Sequence, residues 1–250
     1  MAFATTVRER LAEVPVKSPF LDKTVLVAGG TGGLGRAVSL AFLSAEARVA
    51  VTYRRHEELA ALEALAGPAR ERLEGHAVDV TDEAATRALL AAVRRRHGRL
   101  DALVNAVGGF AGGKKLWEED AGVLHRMLTL NLLSGWALVR AAVPGMLEQG
   151  HGAIVNVAAR AALSPPAGLA AYAASKAAAV AMLASLAAEL KGTGVRANTI
   201  LPSIIDTEAN RKAMPDADFA TWPKPEEIAR VALFLCGDDA KLVHGAAIPV

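Results

Sequence analysis

The chain has 250 residues, of which 52% are hydrophobic and 22% charged, and its formal net charge is 28 − 26 = +2. These values exclude an intrinsically disordered chain and a disulfide-stabilised miniprotein. The near-neutral charge provides no basic field that would favour nucleic acid as a partner. The one cysteine, Cys236, cannot form an internal disulfide, so a cytoplasmic protein is expected.

Neither a membrane span nor an export signal is predicted. The most apolar uncharged stretch, residues 177–188, is 12 residues long. A membrane span needs about 20 residues. Charged residues at positions 8–10 stand where an export signal needs its apolar core. Apolar residues instead recur at helical spacing between Phe3 and Val14, which predicts an amphipathic arm over residues 1–21.

After this arm, short apolar runs alternate with longer helical patterns. Strands are predicted at residues 24–28, 48–53, 76–80, 100–106, 153–158, 196–201 and 246–250. Helices are predicted at 34–46, through Leu59 and Leu62, from Asp82 to 96, and at 120–147, 170–190 and 225–236. Such alternation gives a mostly parallel sheet with helices on both faces. Residues 22–250 are therefore predicted to form one α/β domain, a Rossmann-type doubly wound parallel sheet.

A glycine-rich loop follows the first strand: Gly29-Gly30-Thr31-Gly32-Gly33-Leu34-Gly35. Glycines at this place permit a tight turn and let backbone amides approach a pyrophosphate at the helix N-terminus. Two registers fit, G-x-G-x-x-G from Gly30 and G-x-x-x-G-x-G from Gly29. The loop predicts nucleotide binding, with these contact residues: Gly29, Thr31, Gly33, Leu34 and Gly35.

The end of the second strand indicates which nucleotide is bound. An acidic residue about 20 positions beyond the loop usually binds the ribose 2′-hydroxyl of NAD, but residues 48–55 contain no acid. Arg54 and Arg55 stand there instead, and a guanidinium pairs with a 2′-phosphate that a carboxylate would repel. NADP(H) is therefore favoured, and NAD(H) stays possible.

Tyr172 and Lys176 stand four positions apart at the start of an alanine-rich helix. This spacing places both side chains on one helix face. An ammonium one turn from a phenol stabilises the phenolate, so the pKa of Tyr172 is expected to be lowered toward neutrality. Such a pair predicts a proton donor suited to hydride transfer near pH 7.

With these residues, the chain resembles the short-chain dehydrogenase/reductase family over residues 22–250. The family's elements occur in order, as the glycine loop, Asp79-Val80, Asn105 to Gly108, Asn131, Tyr172, Lys176 and Leu201-Pro202. The resemblance implies a nicotinamide nucleotide as cofactor and a small molecule as substrate. It also implies a homodimer or homotetramer formed through the long helices.

The same resemblance assigns roles to individual residues. Asp79 with Val80 would hold the adenine, and Asn105 would brace the central strands. Gly108 and Pro202 would be further cofactor contacts. Asn131 would bind a water in a proton relay to Lys176, which would also hold the nicotinamide ribose. No metal site is predicted.

One family position is changed, and the change bears on the substrate. The family's catalytic serine lies 13 residues before the tyrosine, where this chain has Ala159. The loop from Gly108 to Gly113 and the segment 206–222 are similar to those of dihydropteridine reductases, a branch that also has alanine there. This similarity implies quinonoid dihydropteridine as substrate. Its site would include Ala159, Phe110 and Trp222. The alternative interpretation of the segment, bounded at about 203–224, is a mobile lid over the substrate with no relation to pteridine.

Two other functions remain open at this point. The first is a reductase of ordinary carbonyls or 3-oxoacyl thioesters. The second is a nucleotide-sensing scaffold that binds NADP(H) without useful turnover, which the missing serine would explain. The presence of Tyr172 and Lys176 argues against the scaffold, since neither residue is needed to cradle phosphate.

Overall fold

Seven parallel strands organise residues 18–250, the part of the chain that the computed structural model describes. They are β1 (Thr24–Ala28), β2 (Arg48–Tyr53), β3 (Leu73–Ala77), β4 (Ala102–Asn105), β5 (Gly152–Val157), β6 (Val195–Leu201) and β7 (Ala247–Pro249). Their order in the sheet is β3-β2-β1-β4-β5-β6-β7. The predicted doubly wound parallel sheet is confirmed.

The centre of the sheet explains where a ligand can bind. All residues of β1, β4 and β5 are buried, because a parallel strand covered on both faces is a continuous apolar run. β1 pairs with β2 on one side and with β4 on the other. The direction of winding reverses between β1 and β4, so the loops after these strands diverge and leave a crevice at the carboxyl edge.

Helices cover both faces of the sheet. They are α1 (Gly33–Ser44), α2 (His56–Ala66), α3 (Glu83–His97), α4 (Ala121–Leu128), α5 (Ser134–Glu148), α6 (Ala170–Glu189), α7 (Glu208–Ala213) and α8 (Pro225–Cys236). One core lies under α1, α2 and α8 and includes Phe42, Leu62 and Cys236. The other core lies under α3, α5 and α6 and includes Leu90 and Leu138.

The N-terminal arm predicted over residues 1–21 lies almost wholly outside the described residues. Of its last residues, Phe20 is buried, and its ring meets that of Phe42 edge-on at 4.9 Å between centroids. Packing of the domain therefore includes Phe20, two residues before the predicted boundary at residue 22.

The third strand begins and ends earlier than predicted. It spans Leu73–Ala77 and pairs with β2 from Val49 to Tyr53, whereas the sequence predicted residues 76–80. Val78 and Val80 pack against the core although they lie beyond the strand. Because Val78 and Val80 are apolar, the strand was predicted too far along the chain, in the loop where Asp79 forms a turn.

The helix predicted over residues 120–147 is interrupted. A π-helical turn, Thr129–Leu133, separates α4 from α5. It places Asn131 toward the loop after β4, where the side-chain amide pairs with both backbone groups of Gly109. Apolar periodicity does not reveal one extra residue in a helical turn, so a continuous helix was predicted.

Among residues 18–250, two helical stretches are long and apolar enough in composition to cross a membrane. They are Ala121–Glu148, with a mean hydropathy of 1.3, and Ala170–Glu189, with 1.4. These helices were not singled out from the sequence, because an uninterrupted apolar run was sought there and Lys176 lies within the second helix. Both helices contribute buried residues to the core under the sheet, as the core helices of a globular domain do.

A buried carboxylate ties three strands together at the opposite, amino edge of the sheet. Asp101 accepts hydrogen bonds from the Thr24 N–H at 2.8 Å, from Arg99 Nε at 2.8 Å and from His151 Nε2 at 3.0 Å. Burial by itself would raise the pKa of Asp101, but the bonds from Arg99, Thr24 and His151 outweigh it and lower the pKa. The charged form thus stabilises the native state.

Replacing Asp101 with Asn should lower the free energy of unfolding at neutral pH by about 1–3 kcal/mol, because charge-assisted bonds become neutral ones. Since the folded pKa lies below the unfolded one, this contribution is present above the unfolded pKa and is lost as pH falls through the folded pKa. Urea denaturation over a pH series should show the wild-type protein and Asp101→Asn converging in acid. A difference that is constant with pH would contradict the assignment.

Candidate active site

The glycine loop between β1 and α1 is shaped for a close approach of backbone to ligand. Gly29 has φ +70°, a conformation that favours glycine. Its N–H donates to Thr52 Oγ1 at 2.8 Å, which fixes the loop to β2. A side chain on Gly35 would collide with the Gly29 carbonyl oxygen. The loop and the helix can therefore lie this close only with glycine at position 35.

The N-terminus of α1 offers donors to a pyrophosphate. Its N-cap, Gly32, supplies no side-chain cap, and the first-turn amides of Gly33, Leu34 and Gly35 have no acceptor within the helix. The positive end of the helix dipole adds to these donors. The loop thus fits the pyrophosphate of a nicotinamide nucleotide. Across from it, a Cβ on Gly33 would lie 2.9 Å from Thr207 Cγ2, so Thr207, unassigned from the sequence, borders this site.

The two arginines expected to face a 2′-phosphate differ in their surroundings. Arg55 is paired with Glu58, with 3.0 Å from Arg55 Nε to Glu58 Oε1. Arg54 is exposed and forms no ion pair with any residue in the range 18–250. The hydrogen bond from Arg55 is the main reason that the pKa of Glu58 is lowered. Contact of either arginine with a 2′-phosphate stays a prediction.

Asp79 and Val80 follow β3 at the same edge. Asp79 Oδ1 accepts from the Thr81 N–H at 2.9 Å and from Thr81 Oγ1 at 2.8 Å. These bonds, the backbone one first, lower the pKa of Asp79. Its carboxylate is exposed and charged, while Val80 is buried against the core. A contact of this pair with adenine stays a prediction.

Asn105 lies at the end of β4 and joins it to β5. Its Nδ2 donates to Asn156 Oδ1 at 2.8 Å, and its Oδ1 accepts from the Val107 N–H at 3.1 Å. Both side chains are buried. The loop that continues to Gly108 is therefore held in place directly beside the crevice.

Tyr172 and Lys176 project from the first turns of α6 into this crevice. Lys176 is 5% exposed, its Nζ donates to the Val157 carbonyl at 3.1 Å, and it lies 6.0 Å from the centroid of the Tyr172 ring. Burial lowers the pKa of Lys176 to about 8. Burial also raises the pKa of Tyr172, so the predicted lowering of that pKa is wrong. Desolvation of the phenol disfavours its charged form.

Asn131 connects the loop after β4 to α6. Its Oδ1 accepts from the Gly109 N–H at 2.8 Å, and its Nδ2 lies 3.1 Å from the Gly109 carbonyl and 2.9 Å from Ser175 Oγ. Ser175 in turn donates to the Tyr172 carbonyl at 2.7 Å. A Cβ on Gly108 would lie 2.9 Å from Asn131 Oδ1 and 3.1 Å from Lys176 Nζ. The structure thus brings Gly108, Asn131, Tyr172 and Lys176 together.

The predicted substrate residues are distributed over three segments. Phe110 is 67% exposed, and its ring lies 5.0 Å from that of Tyr172. Ala159 is buried at the end of β5, and the next residue donates its N–H to the carbonyl of Pro202. Trp222 lies in the 203–224 segment with its ring 5.0 Å from Phe219. A lid function for that segment, which contains α7, stays a prediction.

Comparison with known proteins identifies the family. The sequence profile described as short chain dehydrogenase matches residues 23–218. The chain belongs to the short-chain dehydrogenase/reductase family. It is 36% identical to D-threitol dehydrogenase of Mycolicibacterium smegmatis over 242 residues, which cover 91% of each chain. It is 30% identical to the 3-oxoacyl-[acyl-carrier-protein] reductase of Thermotoga maritima over 238 residues, covering 91% of this chain and 96% of the relative.

Solved structures of this family superimpose on the whole domain. ElxO with NADP bound has a TM-score of 0.87 at 26% identity, covering 91% of this chain and 96% of that one. NAD⁺-bound xylitol dehydrogenase has a TM-score of 0.84 at 26% identity, covering 92% and 98%. Short-chain dehydrogenases/reductases of this shape thus hold either nucleotide. This chain is accordingly an oxidoreductase of the family, with a nicotinamide nucleotide as cofactor and a small molecule as substrate.

The hydrogen bond between Asn131 and Ser175 can be tested by stability. Ser175→Ala should lower the free energy of unfolding by about 1–3 kcal/mol, because a buried amide proton of Asn131 loses its acceptor. Ser185→Ala is the matched control on the same helix, since Ser185 is exposed, and it should stay within about 0.5 kcal/mol of wild type. Equal unfolding midpoints for the two variants in urea would contradict the role of Ser175.

Proposed function

We propose that this protein is a reductase that uses NADP(H) in preference to NAD(H) and transfers hydride to a small conjugated acceptor, with quinonoid dihydropteridine as the best candidate. The observation that carries the proposal is Ala159, which is buried at the position where the family has a hydroxyl donor, two residues after Val157, whose carbonyl accepts from Lys176. Ser164 is exposed, in the turn that follows. A ring that spreads incoming charge over several heteroatoms depends less on one local oxyanion donor than a ketone does.

The bound nicotinamide would supply the hydride, and the protein's own side chains would supply the rest. Tyr172 would donate the proton, since burial raises its pKa and keeps the phenol protonated near neutral pH. Lys176 Nζ, next to Gly108, would hold the nicotinamide ribose and carries its charge below a pKa of about 8. The Phe110 ring would cover one side of the acceptor and exclude water from Tyr172.

The nucleotide would lie across the switch point between β1 and β4. The glycine loop and α1, bordered by Thr207, would hold the pyrophosphate, Asp79 with Val80 the adenine, and Pro202 the nicotinamide end. Asn131 would hold a water in the relay to Lys176. Arg54 supports the preference for NADP(H), because it is exposed, at the end of β2, and not engaged by an acid in the described chain.

A second candidate function is reduction of ordinary carbonyls or 3-oxoacyl thioesters. It is favoured by the relatives, whose names specify dehydrogenation of a sugar alcohol and reduction of 3-oxoacyl groups. A third candidate, a nucleotide sensor without turnover, is disfavoured by the burial of Lys176 against Tyr172. A scaffold that only cradles phosphate has no use for that pair.

The exposed apolar faces of the long helices bear on the oligomeric state of the protein. Leu133, Trp136 and Leu147 are 45%, 48% and 43% exposed on the helical segment that includes α5. An apolar groove of about 640 Å³ runs beside α6 between Trp117 and Ala177. Exposed apolar faces of this kind favour self-association, so we infer a homodimer or homotetramer through these helices. The fold and the single cysteine support a cytoplasmic location.

Removal of the proton donor tests the mechanism. Tyr172→Phe should lower kcat by about 10²- to 10⁴-fold, while nucleotide affinity, measured by fluorescence titration, stays at the wild-type value. The ring, its packing on Phe110 and the charge of Lys176 all remain, so the two readouts separate chemistry from binding. A variant that keeps its turnover would show that the proton comes from elsewhere.

Ala159→Ser tests the substrate class. NADPH oxidation should be measured with quinonoid dihydropteridine, a ketone panel and a 3-oxoacyl ester. The native protein should reduce the pteridine far faster than ketones. Ala159→Ser should raise ketone turnover by up to roughly 10²- to 10³-fold, which is the rate effect of one oxyanion donor. It should leave the pteridine rate nearly unchanged. Ala158→Ser makes the same change at the neighbouring position as a control.

The substrate panel separates the three functions. Brisk reduction of 3-oxoacyl esters by the native protein, with no pteridine reduction, would decide for the second function. Tight nucleotide binding without oxidation of NADPH by any substrate would decide for the scaffold.

A further inference from the structure

One carboxylate links the glycine loop to the residues after β2. Glu58 Oε2 accepts from Thr31 Oγ1 at 3.1 Å, and Glu58 Oε1 accepts from Arg55 Nε at 3.0 Å. Each oxygen therefore has its own donor, and the donors come from different segments. Glu58 lies in the first turn of α2 and is half-buried.

The carboxylate of Glu58 lies between two segments that would both contact the nucleotide. Thr31 belongs to the loop that would hold the pyrophosphate, and Arg55 is the N-cap residue of α2, two residues after β2 ends. In sheets of this topology, the adenosine ribose lies between those two segments, where an acidic residue accepts its 2′-hydroxyl. The strand supplies no such acid, but α2 brings Glu58 to the same place.

The charges around Glu58 determine how strongly a 2′-phosphate would bind. Arg54 and Arg55 contribute positive charge, and both act on Glu58 electrostatically. Glu58 and the exposed Asp79 contribute negative charge, and Arg54 acts on Asp79 as well. The carboxylate of Glu58 therefore opposes a phosphate in two ways. It repels the phosphate directly, and it engages Arg55, a guanidinium that would otherwise pair with the phosphate.

We propose that Glu58 is the specificity-determining residue of the nucleotide site, and that it limits the preference for a 2′-phosphorylated ribose. It accepts the hydroxyls of an unphosphorylated ribose and keeps Arg55 from the phosphate, so Arg54 alone favours NADP(H). The inference rests on nucleotide binding at this edge of the sheet, not on the identity of the substrate.

The test compares nucleotide affinities in the absence of any substrate. NADPH and NADH are titrated against the wild-type protein, Glu58→Gln and Glu57→Gln by fluorescence and calorimetry. Glu57 is the matched control, because it is an exposed glutamate on the same helical turn. In Glu58→Gln, the affinity for NADPH relative to NADH should rise by about 10-fold or more, the size of a charge-assisted hydrogen bond. In Glu57→Gln, that ratio should stay near wild type.

Part of the gain should require Arg55. In the double variant Glu58→Gln/Arg55→Ala, the NADPH to NADH ratio should rise less than in Glu58→Gln, since the released guanidinium is absent and only the relief of direct repulsion remains. Glu58→Asp keeps the charge and should keep the wild-type ratio. A folding defect in Glu58→Gln would appear as a lower Tm and would weaken both nucleotides equally, so the ratio remains diagnostic.

The possible outcomes separate this inference from the proposed function. An unchanged ratio in Glu58→Gln, or a gain that is just as large without Arg55, would overturn the role of Glu58. Loss of NADPH preference in Arg54→Ala together with a gain in Glu58→Gln supports both proposals. A wild-type protein that binds neither nucleotide would overturn the nucleotide site itself.

Discussion

Parallel pairing of β1 with both β2 and β4 is the constraint on which the rest of the structure depends. It brings the carboxyl ends of the strands to one edge, so that segments far apart in sequence share a single crevice. The glycine loop, the Asn105 loop and the start of α6 all open there. At the amino edge, Asp101 joins three strands and contributes to stability alone. The residues for chemistry and the residues for stability therefore lie at opposite edges of the sheet.

The crevice is assembled by polar groups that hold one another rather than by a single rigid element. Asn131 fixes Gly109, Ser175 fixes the backbone of Tyr172, and Lys176 is fixed by the Val157 carbonyl. Every one of these groups is buried or nearly so, where an unpaired polar atom is costly. The arrangement thus orders the pair before a nucleotide arrives.

The parts predictable from sequence are those set by local pattern. The bounds of β1 and β2, the start of α6 and the four-residue spacing of Tyr172 and Lys176 follow from apolar runs and helical periodicity. The parts missed depend on tertiary pairing. β3 was displaced because Val78 and Val80 pack on the core outside the strand. The π-helical turn at Asn131 and the burial that raises the pKa of Tyr172 arise from contacts between distant segments. The ion pair between Arg55 and Glu58 is local, and its spacing of three positions was present in the sequence.

Burial of the single thiol has a practical consequence. Cys236 closes α8 in the core, and burial raises its pKa to about 12. At pH 7 the Cys236 thiol is therefore protonated, and the thiolate is the form that reacts. Alkylating reagents therefore do not react with Cys236 in the native protein. They label Cys236 only when α8 detaches from the core. The rate of labelling measures how often that opening occurs, with no engineered probe.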